Sequence, residues 1–211
     1  MQRHSLRLFI YASHYLWEQQ QIMRGERTME TEKKFSITQI AVIGVMTAVI
    51  CILAPFSLPI GPVPISFTNL AIYVALYVLG MKRGTVSYLI YLLIGLVGVP
   101  VFSGFTGGPQ KLFGPTGGYL IGFIPMAVIA GVVIDKCMKK WYFCLLAMIA
   151  GTWVCYLIGT AWLAFQANMT FKAALAAGVI PFIVEDLIKM ILALLIGPQI
   201  HKQLVKAHLV D

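Results

Sequence analysis

The sequence predicts an all-α integral membrane protein with six transmembrane helices and both termini in the cytoplasm. Three observations carry that reading. First, the 211 residues are 59% hydrophobic and only 11% charged, and mean hydropathy is +0.85; a soluble domain carries about a quarter charged residues. Second, from Ser36 onward the chain falls into six apolar runs, at 36–54, 66–80, 84–99, 117–134, 141–165 and 179–200. A helix crosses hydrocarbon with about 20 apolar residues, so the second and third runs must draw on their flanks or lie obliquely. Third, the basic residues alternate. Nine of them (Lys33, Lys34, Lys82, Arg83, Lys136, Lys139, Lys140, Lys202, Lys206) fall in every other connection, against Lys111 and Lys172 in the rest. Positive charge marks cytoplasmic loops, and an odd helix count would scramble the alternation.

The same clustering accounts for the net charge of +8 without nucleic acid, because no basic face is interleaved with aromatics. Cys51, Cys137, Cys144 and Cys155 form no CxxC pair, so neither a metal site nor a disulfide framework is indicated. Residues 1–34 are polar and basic, and lack the apolar core and cleavage site of a signal peptide. Residues 1–28 are expected to lie outside the native product, with translation starting at Met29. The membrane domain is expected at 35–202, with a short cytoplasmic tail at 203–211.

Helix by helix, one run stands apart. "PFIVEDLIKMILALLIG" (181–197) places Glu185, Asp186 and Lys189 in an otherwise apolar stretch. Pro181 suits a first helical turn. Lys189 sits at i,i+4 from Glu185 and i,i+3 from Asp186, within reach of either carboxylate. Intramembrane charge is costly and usually faces a protein interior or wet cavity, so Asp186 and Lys189 are candidate ligand contacts. Glu185 points about 100° away from Asp186 and reads as the partner of Lys189. The alternative is an ion pair that only makes the helix tolerable in lipid.

Two outer connections complete the pattern. "PVFSGFTGGPQKLFGPTGGYLIGF" (100–123) is rich in glycine, and Thr116 is placed to cap the helix that follows. The N–H groups of Gly117, Gly118 and Tyr119 would then be orphan donors at a positive helix end. Such an end favours an anionic group. Gly107 and Gly108 allow close approach, and Gln110 and Lys111 add donors; a plain turn with packing glycines is the alternative. "APFSLPIGPVPISFTNLA" (54–71) is stiffened by four prolines, Pro64 among them, and offers the polar groups of Ser66, Thr68 and Asn69. Together these segments describe an outward-opening site with apolar walls, one acid, one base and backbone donors, suited to an amphipathic small molecule with a polar ring and a carboxylate.

No G-x-x-x-x-G-K-[ST] loop is present, no proton-relay chain runs across several helices, and no inverted repeat is visible. A transport role therefore calls for an energising partner. Ala41, Gly44 and Ala48 form a small-residue stripe on helix 1 that suits helix–helix contact, with that partner or within the bundle.

"GPTGGYLIGF" (114–123), preceded by "FSGFTGG", with "PIGPVPIS" (59–66) upstream and "DLIK" (186–189) in the last helix, resembles the BioY family. These are biotin-binding S components of energy-coupling-factor (ECF) importers. The resemblance covers about residues 35–200. It implies a multi-pass protein of the cytoplasmic membrane that captures biotin from outside, with no catalysis and no cofactor or metal of its own. Its partners would be a membrane-embedded coupling subunit and two cytoplasmic ATPases that use the ATP, with substrate released inward by toppling in the bilayer. It also implies that Asp186 and Lys189 hold the polar parts of biotin, that Gly61 to Thr68 act as a lid, and that Thr116 to Tyr119 join the site. Ala41, Gly44 and Ala48 would meet the coupling subunit. Glu185 departs from the small residue expected there. Another small vitamin-like carboxylate is the nearest alternative ligand; a membrane scaffold or a membrane-bound enzyme using Glu185 or Asp186 as base are the other classes.

Overall fold

The computed structural model describes residues 37–59 and 62–210. The expectations for residues 1–34, for Lys33 and Lys34, and for Gly61 lie outside the described residues. The described residues form an all-helical bundle. Its elements are α1 (Ile37–Leu53), a hairpin of β1 (Ser57–Leu58) and β2 (Ile65–Ser66), α2 (Thr68–Leu96), α3 (Pro109–Leu112), α4 (Gly117–Cys137), α5 (Trp141–Gln166), α6 (Phe171–Gly178) and α7 (Phe182–Lys206). Two of these, α4 and α5, are long and apolar enough to cross a membrane by length and composition, with mean hydropathies of 2.1 and 1.9.

The two runs expected at 66–80 and 84–99 meet without a loop. Gly80, at φ 77° and ψ 174°, breaks α2, and such a backbone favours glycine. The arms 68–79 and 81–96 fold back on each other, for a Cβ on Gly84 would lie 3.0 Å from the Leu76 side chain and 3.2 Å from the Ala75 carbonyl. The second arm begins at once because Asp135 of α4 accepts the Met81 N–H with both oxygens, at 3.1 Å each. Lys82 and Arg83 are therefore helical residues, not loop.

Two other boundaries differ. Residues 171–178, expected as loop, form α6, started by the Thr170 hydroxyl, which accepts the Ala173 N–H at 3.3 Å. The last helix begins at Phe182 rather than 179 and runs through Pro198 to Lys206.

Large apolar side chains cover the surface as well as the core. Trp153, Leu157 and Leu195 are 51%, 58% and 59% exposed, while Asp186 and Lys189 are 7% and 5% exposed. Exposed apolar area on this scale marks a surface that meets lipid or a partner. The core is lined by Tyr73, Tyr77, Tyr88, Tyr91 and Phe102, all fully buried. Close approach of α4 to α5 depends on glycine: a Cβ on Gly118 would meet Trp162 at 2.3 Å, and one on Gly159 would meet the Tyr119 ring at 2.3 Å.

Candidate ligand site

A cavity opens at one end of the bundle among the hairpin, α2, α4, α5 and α7. Each element brings its contribution by a local rule. α7 presents Asp186 and Lys189 on one face because they are three residues apart. The hairpin pairs Ser57 with Ser66 and Leu58 with Ile65, which sets Pro64 and Ser66 at the rim. Asn69 sits in the first turn of α2, and Thr152 and Tyr156 share a face of α5 at i,i+4.

Asp186 is the hub. Its Oδ1 accepts from Asn69 Nδ2 and its Oδ2 from the Tyr156 hydroxyl, each at 2.5 Å. The Lys189 ammonium pairs with Glu185, lies 3.6 Å from Asp186 Oδ1 and donates to the Ser66 carbonyl. One lysine thus ties α7 to the hairpin and faces two carboxyl groups. Thr152 is held in turn by the Tyr73 hydroxyl at 2.6 Å. Polar groups buried this far from water must be paired, and here three helices and a hairpin pair them.

The loops at 54–67 and 97–116 are fastened together and to the bundle. Gly104 N–H donates to the Pro55 carbonyl at 2.9 Å, and the Phe56 and Phe105 rings meet edge to face at 5.5 Å. Trp162 and Gln166 of α5 donate to the carbonyls of Gly114 and Phe113. This arrangement carries Ser103 to the cavity.

Of the residues singled out in the sequence, Asp186, Lys189, Thr116, Tyr119, Pro64, Ser66 and Thr68 line the cavity. Gly107, Gly108, Gln110, Gly117 and Gly118 are not in its lining. Gly107 is packed against the Val99 carbonyl, which an added Cβ would meet at 2.4 Å, and a Cβ on Gly117 would fall 1.7 Å from the Leu112 carbonyl. Burial lowers the pKa of Lys111, which also stands outside the lining.

The expected row of orphan donors is corrected at Gly117 and Tyr119. Gly117 N–H donates to the Gly114 carbonyl at 3.0 Å and Tyr119 N–H to the Thr116 carbonyl at 3.1 Å. Thr116 occupies the cap position with φ −90° and ψ −5°, and its side chain makes no capping bond. The carbonyls of Gly114 and Thr116 thus engage two of the donors that a β-region cap would have left free.

The sequence reading left Thr152, Tyr156, Phe182, Ser103 and Gly178 out of the site and held Asn69 only as a neutral donor. All six line the cavity. The available signal was Thr152 and Tyr156 recurring at i,i+4 within an apolar helix.

Fold and site together define a helical small-molecule-binding protein with an apolar exterior and a polar pocket beneath a short hairpin. The BioY family model matches residues 28–206. The biotin transporter BioY of Thermotoga maritima is 40% identical over 160 residues, 75% of this chain and 93% of its own length. BioY2 of Lactococcus lactis subsp. cremoris is 36% identical over 80% of this chain and 91% of that protein. Among solved structures, the S-component for biotin from an ECF-type ABC transporter superposes with a TM-score of 0.73 at 33% identity, covering 79% of this chain and 92% of that one. The chain belongs to the BioY family.

Proposed function

We propose that this chain is the biotin-capture subunit of an ECF importer in the cytoplasmic membrane. The observation that carries the reading is the buried Asp186–Lys189 pair facing a cavity beneath the hairpin, in a chain so similar to named biotin transporters. In this reading residues 35–202 form a multi-pass membrane domain. Its spans are α1, the two arms of α2, α4, α5 and α7, six crossings with both termini inside.

The charge distribution supports that orientation. On α4, Asp135 lies sixteen residues from Tyr119, about 24 Å along the axis, so the basic clusters around Lys82, Lys136 and Lys202 lie far from the cavity. The cavity therefore opens outward by the positive-inside rule. The hairpin segment up to Thr68 acts as a lid, fastened by Lys189 to the Ser66 carbonyl.

Ala41, Gly44 and Ala48 are exposed, and an added Cβ on Gly44 would meet nothing within 4 Å. That free stripe is the proposed contact for a coupling subunit, with ATP hydrolysis left to two ATPase partners. Binding of radiolabelled biotin to the detergent-purified chain tests the site. Binding by the wild type that is abolished in Asp186→Asn and Lys189→Ala is expected. A folded wild type that binds no biotin removes biotin as the ligand.

A further inference from the structure

Asp186 is surrounded by donors, and their orientation is fixed. Asn69 accepts the Leu70 N–H at its Oδ1, at 3.0 Å, which leaves the amide NH2 to face Asp186 Oδ1. Tyr156 has only its hydroxyl hydrogen to offer a carboxylate, and it does so at Oδ2. Asp186 is therefore an acceptor on both oxygens, gripped from α2 on one side and α5 on the other. The same side chain lines the cavity.

Tyr156 has a second boundary. Together with Thr152 and Asp186 it also lines an apolar groove on the outer face of α5 and α7, bordered by Ile149, Trp153, Ile183, Leu187 and Met190. Its ring meets Trp153 edge to face at 6.1 Å. The tyrosine is thus the partition between the polar cavity and the membrane-facing groove, and its hydroxyl is the part that reaches Asp186.

We propose that Tyr156 and Asn69 are positioning residues that determine specificity. By holding Asp186 as a fixed, two-sided acceptor they select ligands that present an N–H donor at that point. This rests on the biotin reading, in which the donor is a ring urea N–H. Geometry supports the assignment: with Asn69 and Tyr156 both donating to it, Asp186 offers only acceptors, so a ligand N–H rather than a ligand carboxylate belongs beside it. An isostere carrying an oxygen there would set lone pair against lone pair. A site built around a hydrogen bond rejects the analogue lacking it far more strongly than an apolar pocket rejects a methylene.

The test compares biotin with its two cyclic carbamate analogues, each with one urea N–H replaced by oxygen. Affinities are measured on the full chain in detergent for wild type, Tyr156→Phe and Asn69→Ala, with thermal unfolding recorded for each. Wild type is expected to prefer biotin over at least one carbamate by on the order of 10⁴-fold. Tyr156→Phe keeps the ring and should weaken biotin by roughly tenfold, the effect of one hydrogen bond to a charged group, while leaving that carbamate nearly unchanged. The preference then shrinks by a similar factor, and Asn69→Ala should act in the same direction. An unchanged preference in Tyr156→Phe, with both ligands weakened equally or not at all, overturns the inference. So does a wild type that binds biotin and both carbamates equally, and that result leaves the transport reading standing. A wild type that binds none of the three overturns both.

Discussion

Lys189 serves three partners at once: Glu185, Asp186 and the carbonyl of Ser66. Removing one member of a buried ionic set leaves the others uncompensated, at a cost of about 3–5 kcal/mol. Lys189→Met, which keeps the aliphatic stem, is expected to lower the thermal midpoint and to loosen the hairpin, seen as faster proteolysis within 55–66. Unchanged proteolysis would remove the tether. A packing prediction sits beside it. In Gly159→Ala the new methyl would fall 2.3 Å from the Tyr119 ring, so the ring must move; overpacking of this kind costs about 1–3 kcal/mol, and weaker biotin binding should accompany the loss of stability. The charged residues were legible in the sequence because charge inside an apolar run is rare and expensive. Asn69 and Tyr156 were not, because they reach Asp186 across 117 and 30 residues of chain and neutral polar side chains carry no address.

At the level of elements, the bend in α2 is the feature most exposed to a single change. Gly80 combines φ 77° with an added-Cβ distance of 3.0 Å to Asp135 Oδ1, the same oxygen that accepts the Met81 N–H. Gly80→Ala is expected to destabilise the fold by about 1–3 kcal/mol from backbone strain alone, read as a lower melting temperature in detergent. A melting temperature equal to that of wild type would mean that the bend tolerates a side chain. Long apolar runs revealed α1, α4, α5 and α7 because lipid-length hydrophobicity is a strong local signal. The bend was read as a loop, since its stop-and-restart depends on a carboxylate from α4 that adjacent residues do not reveal. Helix α6 was readable in retrospect from Thr170 followed by "FKAALAAG", a capping residue ahead of alanine-rich sequence.

For the whole molecule, capture and coupling are proposed to occupy separate surfaces. A Cβ added at Gly44 meets nothing within 4 Å and the residue is exposed, so Gly44→Leu should leave biotin binding by the purified chain unchanged. In cells holding the full importer it should reduce biotin uptake, on the order of tenfold for a blocked close helix contact. Uptake equal to wild type would move the partner contact elsewhere. The sequence by itself determined the helical class, the membrane-like composition and the acid–base pair of α7, because composition, period and rare charge are local quantities. It also pointed to the loops within 54–71 and 100–123. The tertiary structure alone decided which loop groups line the cavity: Thr116 and Tyr119 do, whereas Gly117 and Gly118 pack against Leu112 and Trp162. It alone decided how Asp186 is held. A glycine that admits a ligand and a glycine that admits a neighbouring helix look the same in sequence, and only the atoms that fill the space beside each one tell them apart.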